Sequence, residues 1–455
     1  MPVPAGMPCW DNGARPRRAF EGRTLPAPIP MFLPFVMPFA SRASDRFPLL
    51  PRSVAAVCLL AVGAAQADSE LAPYALGGSA QIQHESNLFH TDDSLRTADW
   101  LLTNTLHGGV DQAVGRDRLQ LNLDLNRTVY KKQAQLDNFG YDANGKFDFS
   151  TVGDISGQFG ADTARHQYQF GLEGDTPSSG RNIVTSRHVF ANAQVGGVTR
   201  WTLYGGLDGN SQDYSAPQFQ SNEERQWSAN SGFRWQSSPD LVMGGGAQYA
   251  HGRFPQFTTN LLGQTVADEF GVKSLYLTTQ WQATGNSRFN AQVGRTQETH
   301  DVQPDRSYWS GSASWTWKPD AKISSVLLLK RDSGANQATG AALVGNPNDL
   351  TGRSLNTTAG LTLNWDATAK IRVTLDGQYT RRQYDEVLIP VLGIHASGTD
   401  KIQRLSLAVH YAPTRAIDLS CSAQQERLSA DSQLGSATPS YHDDTLACIG
   451  TITFR

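Results

Sequence analysis

The sequence predicts an all-β protein, a closed antiparallel transmembrane β-barrel of about 18 strands (16–18) with short periplasmic turns and long extracellular loops. Three observations predict it. Segments with an apolar residue at every second position recur from Tyr74 to the last residue, and a period of two belongs to strands with one apolar and one wet face. Short turns and long polar connections alternate along the chain and never exchange order. Aromatic residues return at one phase beside the short turns, where a membrane interface selects a ring that is apolar at its body and wet at its edge.

Composition fits this class better than a multidomain soluble protein. The chain has 455 residues, 39% of them hydrophobic, which is enough for several cores, yet only 18% are charged and Gly is abundant at 42. Polarity therefore comes mostly from uncharged side chains. Averaged hydropathy looks soluble, as it does for barrels whose strands give one face to water. The formal net charge of -3 offers no basic footprint for nucleic acid.

Residues 1–67 read as an N-terminal extension plus a secretory signal peptide. Val54 to Ala64 is an apolar stretch too short to span a bilayer, with Arg42, Arg46 and Arg52 before it and Ala65-Gln66-Ala67 after it. That layout predicts cleavage after Ala67. Residues 1–36, rich in Pro and Arg, suit no signal peptide and point to a start assigned too early, with initiation at Met31 or Met37. The mature barrel is then 68–455.

The first strand runs from about Tyr74 to His84, and a return strand from Trp100 to Val110 follows a polar segment. Leu119, Leu121, Leu123, Leu125 and Val129 alternate with Gln120, Asn122, Asp124, Asn126 and Thr128 in the clearest strand of the chain. The next alternates Phe139, Tyr141, Ala143, Phe147 and Phe149 with Asp142, Asn144, Lys146 and Asp148. Later short turns carry turn residues, among them Gly196-Gly197-Val198-Thr199, Ser238-Pro239-Asp240 and Gly285-Asn286-Ser287. Between them lie long connections near 164–182, 210–223, 252–268, 297–307, 332–351, 383–400 and 428–441. The expected aromatic girdle is Phe149, Trp201, Trp235, Trp281, Trp317, Trp365 and Tyr411. Closure follows because every backbone group in lipid must be paired.

Four cysteines are present. Cys9 and Cys58 fall before the predicted cleavage, leaving Cys421 and Cys448 on the last two strands. If residue 427 lies opposite 442, those two face each other, so a disulfide is expected in an oxidising compartment.

The wet face predicts the lumen: Asp124, Asn126, Asp142, Lys146, Asp148, Arg234, Arg372 and Asp376, with both signs and many amides. Such a set suits a water-filled passage for polar, neutral solutes. Tyr204 and Tyr214 fall in the lumen-or-loop phase, where a sugar ring could stack; packing beneath a loop is the other role for either, and the one expected first. Gly244-Gly245-Gly246 inside a strand indicates a close approach or curvature, since no helix follows to hold a phosphate. The histidines are scattered and no nucleophile stands at a motif spacing from them, so the chain reads as a non-enzyme without cofactor or metal; a barrel hydrolase is the remaining catalytic alternative.

At His84-Glu85-Ser86-Asn87-Leu88-Phe89 the first strand ends in a polar run followed by Asn-Leu-Phe. With the whole-chain pattern and the two late cysteines, the sequence resembles the β-barrel porin family found with exopolysaccharide biosynthesis operons, the EpsL-like outer-membrane proteins. The resemblance spans roughly residue 70 to the end. It implies an outer-membrane channel of a Gram-negative bacterium supporting export of a secreted polysaccharide, with periplasmic or inner-membrane export components as partners. A diffusion porin for small-molecule uptake is the alternative. The apolar alternation Leu446, Cys448, Ile452 and Phe454 resembles the signal read by the barrel assembly machinery, although Arg455 makes Phe454 penultimate.

Overall fold

A computed structural model describes residues 73–454, apart from 169, 171–179, 198, 261, 334–353, 390–393 and 431–439. The extension, the signal peptide with its cleavage site, Cys9 and Cys58 lie outside the described residues. Eighteen strands run among the described residues: β1 (Tyr74–Glu85), β2 (Asp99–Val114), β3 (Asp117–Tyr130), β4 (Asn138–Ser150), β5 (Ile155–Gln167) and β6 (Ile183–Val195). They continue as β7 (Trp201–Tyr214), β8 (Glu224–Ser238), β9 (Leu241–Thr259), β10 (Thr265–Thr284), β11 (Ser287–His300) and β12 (Arg306–Trp317). The last six are β13 (Ile323–Ser333), β14 (Ser354–Asp366), β15 (Ile371–Ile389), β16 (Ile394–Tyr411), β17 (Ile417–Ser429) and β18 (Tyr441–Phe454).

Each strand pairs antiparallel with its sequence neighbours, and β1 pairs with both β2 and β18, so the 18-stranded sheet closes. Ile82 shows the seam: it faces Leu102 on one side and Cys448 on the other. Closure leaves no sheet edge with unpaired backbone groups.

The period of two decides which face meets which medium. Leu121 and Leu123 are 42% and 44% exposed on the outside of the wall. So are Leu203, Leu275, Leu361, Leu405 and Leu446. Large aliphatic side chains left uncovered all around a closed sheet are matched by lipid. Trp201, Trp235, Trp281, Trp317, Trp365 and Tyr411 stand exposed at the short-turn end. Trp201 lies opposite Trp235, their rings 5.9 Å apart. Phe149 shares the outward phase but is half-buried, because a Cβ at the facing Gly157 would sit 2.7 Å from its ring: the ring lies over the glycine. Trp100, Phe139, Trp227, Tyr249 and Trp309 form a second exposed aromatic row toward the long connections. Two aromatic rows bounding an apolar band are the build of an outer-membrane barrel.

Several of the expected long connections are strand instead. The hairpin of β9 and β10 uses 19 and 20 residues and turns only at 260–264, where a loop was expected over 252–268. The ladders of β15 with β16 and of β11 with β12 similarly intrude on 383–400 and 297–307. Above the bilayer both faces of a ladder are wet, so apolar alternation fades while backbone pairing continues.

At this end the barrel holds packed material. Leu88 and Phe89, following β1, join Leu101, Tyr130, Leu136 and Phe170 in one buried cluster. Tyr168, Val184, Tyr214, Ala216 and Phe219 form a second, and Ala250, Phe254, Phe270 and Val272 a third. Short 3-10 turns at Ala134–Leu136 and Pro217–Asn222 carry Leu136 and Phe219 into them.

Candidate functional site

The candidate site is the inner wall. Register places all eight expected lumen residues on its phase, where they find local partners. Asp124 lies opposite Asp142, and the ring of His107 on β2 lies 2.7 Å from the Asp124 carboxylate. Asn126 faces Gly140, whose missing Cβ leaves room for the amide. Lys146 lies 3.2 Å from Asp148. Thr362 donates to Asp376 at 2.6 Å, and Arg372 pairs with Asp366 at 2.6 Å beside a short turn. Amides continue the lining: the Asn122 side chain donates to the facing Asn144 carbonyl oxygen Oδ1 at 2.9 Å.

Arg234 belongs to the most specific constellation in this part of the wall. It donates to Gln194 on β6 at 2.7 Å and lies over the Tyr204 ring, 5.0 Å from its centroid. The Tyr204 hydroxyl meets that of Tyr276 on β10 at 3.2 Å, although two strands separate them. Glycines make this reach possible. A Cβ at Gly232 would collide with the Tyr204 ring, and one at Gly246 would sit 2.6 Å from the Tyr276 hydroxyl. Two tyrosines thus lie down over a glycine floor, which is the close approach that the Gly244–Gly246 run signals. Tyr276 was not singled out in the sequence because one ring on a wet face carries no motif.

Of the two roles weighed for the tyrosines, Tyr214 takes loop packing and not sugar stacking. Tyr214 is 5% exposed and packs against Tyr168 and Phe219, with ring centroids 5.5 and 6.3 Å away. It is core, not an open platform. Periodicity assigns a face, and cannot show that the adjoining connection folds over it. Tyr204 does line the lumen, but one ring face is covered by the glycine floor and Arg234 lies over the ring.

Toward the long connections the wall carries buried ion pairs. Arg382 meets Asp400 at 2.6 Å, and Arg404 meets Glu426 at 2.8 Å, with Tyr441 donating to the same carboxylate at 2.6 Å. His300 bridges Asp268 and Glu298, both at 2.8 Å, and Tyr308 adds a hydrogen bond to Glu298. These groups sit beyond the upper aromatic row, since Glu298 lies three residues past Arg295, the partner of Trp309. Burial by itself would lower the His300 pKa, but its hydrogen bonds to two carboxylates and their charges push it up to about 9. Glu85, Asp99, Asp332 and Asp443 also point inward here, so acids outnumber bases at the mouth among the described residues. The sequence reading of balanced signs did not include this acidic set.

The Asn-Leu-Phe segment anchors this end. Asp443 accepts from the Ser86 hydroxyl at 3.0 Å and from the Asn87 amide at 2.8 Å. The Asn87 side chain donates to Thr91 and His442 carbonyls. His90 stacks on Tyr441 with ring centroids 4.3 Å apart. Cys421 and Cys448 form a disulfide between directly opposed positions of β17 and β18, their Cα atoms 4.1 Å apart, on the outward face. Among the described residues no group of His, Cys, Asp and Glu is arranged to hold a metal.

No protein-family model matches the chain, and no curated protein matches it. Solved structures do resemble it. OccAB3 of Acinetobacter baumannii is 10% identical, covers 84% of this chain and 99% of its own, and gives a TM-score of 0.45. OccK5 (OpdH) of Pseudomonas aeruginosa is 10% identical over 84% and 98% of the two chains, with a TM-score of 0.44. The alcaligin outer-membrane receptor FauA of Bordetella pertussis is 10% identical over 85% and 76%, with a TM-score of 0.39.

Proposed function

We propose that the chain forms a water-filled channel across the outer membrane, through which small neutral and cationic polar solutes diffuse. The observation that carries this is the inner wall: between the aromatic rows it presents amides, hydroxyls and locally paired charges in phase on successive strands. Such a wall stays hydrated and offers no deep well to trap a solute. The acidic mouth favours cations over anions, and the packed clusters at that end favour small solutes. The same wall also brings the Ser79 hydroxyl to 2.9 Å from His107 Nε2, whose Nδ1 meets Asp124 at 2.7 Å; the barrel is read as a conduit because the polar lining runs over successive strands, well beyond that one cluster.

A second reading is passage of a secreted polysaccharide supplied by periplasmic or inner-membrane export components. It rests on the sequence resemblance at Asn87-Leu88-Phe89. Those residues are buried at the mouth, so they support the shared build more directly than a sugar contact.

Single-channel recording in planar bilayers tests the first reading. A steady conductance with a reversal potential favouring potassium over chloride is expected, and Tyr276→Ala should raise the conductance by opening the tyrosine bridge. A sealed bilayer or clear anion preference would refute it. Deletion of the gene separates the two readings: slowed entry of small polar solutes with normal surface polysaccharide supports diffusion, and the reverse supports export.

A further inference from the structure

Charge is sorted by face at the upper end of the wall. Acids dominate inside, whereas the outward phase carries Arg187, Arg225, Arg253, Arg295, Arg381 and Lys401 at or above the upper aromatic row. Two of the outward pairs are like-charged and directly opposed: Arg225 faces Arg253 across β8 and β9, and Arg381 faces Lys401 across β15 and β16. Opposed like charges on neighbouring strands destabilise a sheet unless an anion lies between them.

The first pair lines a concavity. Arg187, Ser211, Arg225, Trp227, His251 and Arg253 surround about 430 Å³ on the outer surface of β6 to β9. Two acids stand at its rim. Asp213 binds Arg187 at 2.5 Å, and Glu269 lies 3.9 Å from Arg253. The Arg225 guanidinium has no ion-pair or hydrogen-bond partner among the described residues. Immediately toward the short turns, on the same strands, lies a second concavity of about 680 Å³, whose outward lining includes Ala191, Ala193, Gly205, Ala229 and Ala247, between Phe159 and Tyr249. Small side chains there hollow the wall within the apolar band.

We propose that this face holds a phosphorylated glycolipid of the outer leaflet, with a phosphate between Arg225 and Arg253 and acyl chains in the small-residue hollow below. The proposal rests on the membrane reading given above, with the long connections on the outer side. Arginine suits this role because its planar fork binds phosphate through two parallel hydrogen bonds, and the Trp227 ring marks the depth at which headgroups lie. The chemistry and geometry agree: charge sits at headgroup height on β6 to β9 and the hollow at acyl height below it, extending to Phe149 of β4 and Phe159 of β5.

The test uses the full-length barrel in detergent, offered diphosphorylated lipid A, with retained lipid counted by native mass spectrometry. Retention of lipid A by the native chain, and a loss of at least tenfold in R225Q/R253Q, are expected. R116Q, which removes a positive charge from a short turn at the opposite end, should retain lipid like the native chain. Equal loss in R116Q would reduce the effect to bulk charge and overturn the proposal, as would equal retention of lipid A stripped of phosphate or complete displacement by millimolar inorganic phosphate. In lipid-free detergent R225Q/R253Q should melt no lower than the native chain, since it relieves a like-charge pair; a lower melting temperature would make the arginines structural and overturn the site. Conductance in bilayers lacking phosphorylated glycolipid reads the channel separately, so failure of one reading is distinguishable from failure of the other.

Discussion

Leu123 and Leu136 are thirteen positions apart in the sequence, and they live in opposite media. Leu123 stands 44% exposed on the outer wall, and Leu136 is fully buried among Leu88, Phe89, Leu101, Tyr130 and Phe170. Between the aromatic rows the barrel is a thin wall with lipid outside and a wet lining inside. Beyond the upper row the same ladders enclose a packed, ion-paired interior of the kind soluble proteins build. The difference teaches that one sheet serves two solvents, and that the change from one to the other occurs along single strands.

Substitutions that treat the two regions differently would sharpen that contrast. The largest effect belongs to the packed end: Arg382→Ala leaves the Asp400 carboxylate buried without its guanidinium, at a cost of about 3–5 kcal/mol. Equilibrium unfolding in urea measures it, and a near-neutral result would mean that the mouth is wetter than its burial indicates. In the wall, Leu123→Arg places a charge in lipid and should cost about 2–4 kcal/mol, while Asn122→Arg, one residue away on the lumen face, should cost little. Equal costs in a refolding titration into vesicles would erase the distinction between faces.

A third contrast is a pH dependence confined to the packed end. His300 has a folded pKa of about 9, above its unfolded value near 6.5. The stabilisation from its protonated bridge is therefore complete below the unfolded value and is lost as pH rises through about 9. The melting temperature should fall between pH 7 and pH 10, and His300→Gln should flatten that fall. An unchanged slope in the variant would assign the pH response to other groups.

Much of the wall was legible in the sequence because lipid imposes period two, and strands such as Leu119–Val129 repeat it with Arg127 as the single break in the apolar phase. The phase of Asp124, Lys146, Arg234 and Asp376 followed from the same rule, as did the opposition of Cys421 and Cys448. The mouth was much less legible. Asp268, Glu298 and Asp400 occur singly in polar stretches, and only closure of the sheet makes them neighbours. Tyr276 gained meaning from glycines on another strand, and of its two possible roles Tyr214 takes packing because a neighbouring connection folds over it. Periodicity reports the medium on each side of a strand, and says nothing of what a connection does after leaving it.

The seam between β1 and β18 has a consequence for assembly. Leu76 meets Phe454 and Glu85 meets Thr445, while Ser86 binds Asp443 across a sequence separation of 357. Contacts so distant along the chain form slowly. Every other ladder joins sequence neighbours and can zip up as hairpins, so this seam is the step that sets when the sheet stops having edges. Until then β1 and β18 each present a raw ladder to whatever strand is nearby, and an accessory that holds those two edges apart from other chains would govern yield more than any interaction within the wall.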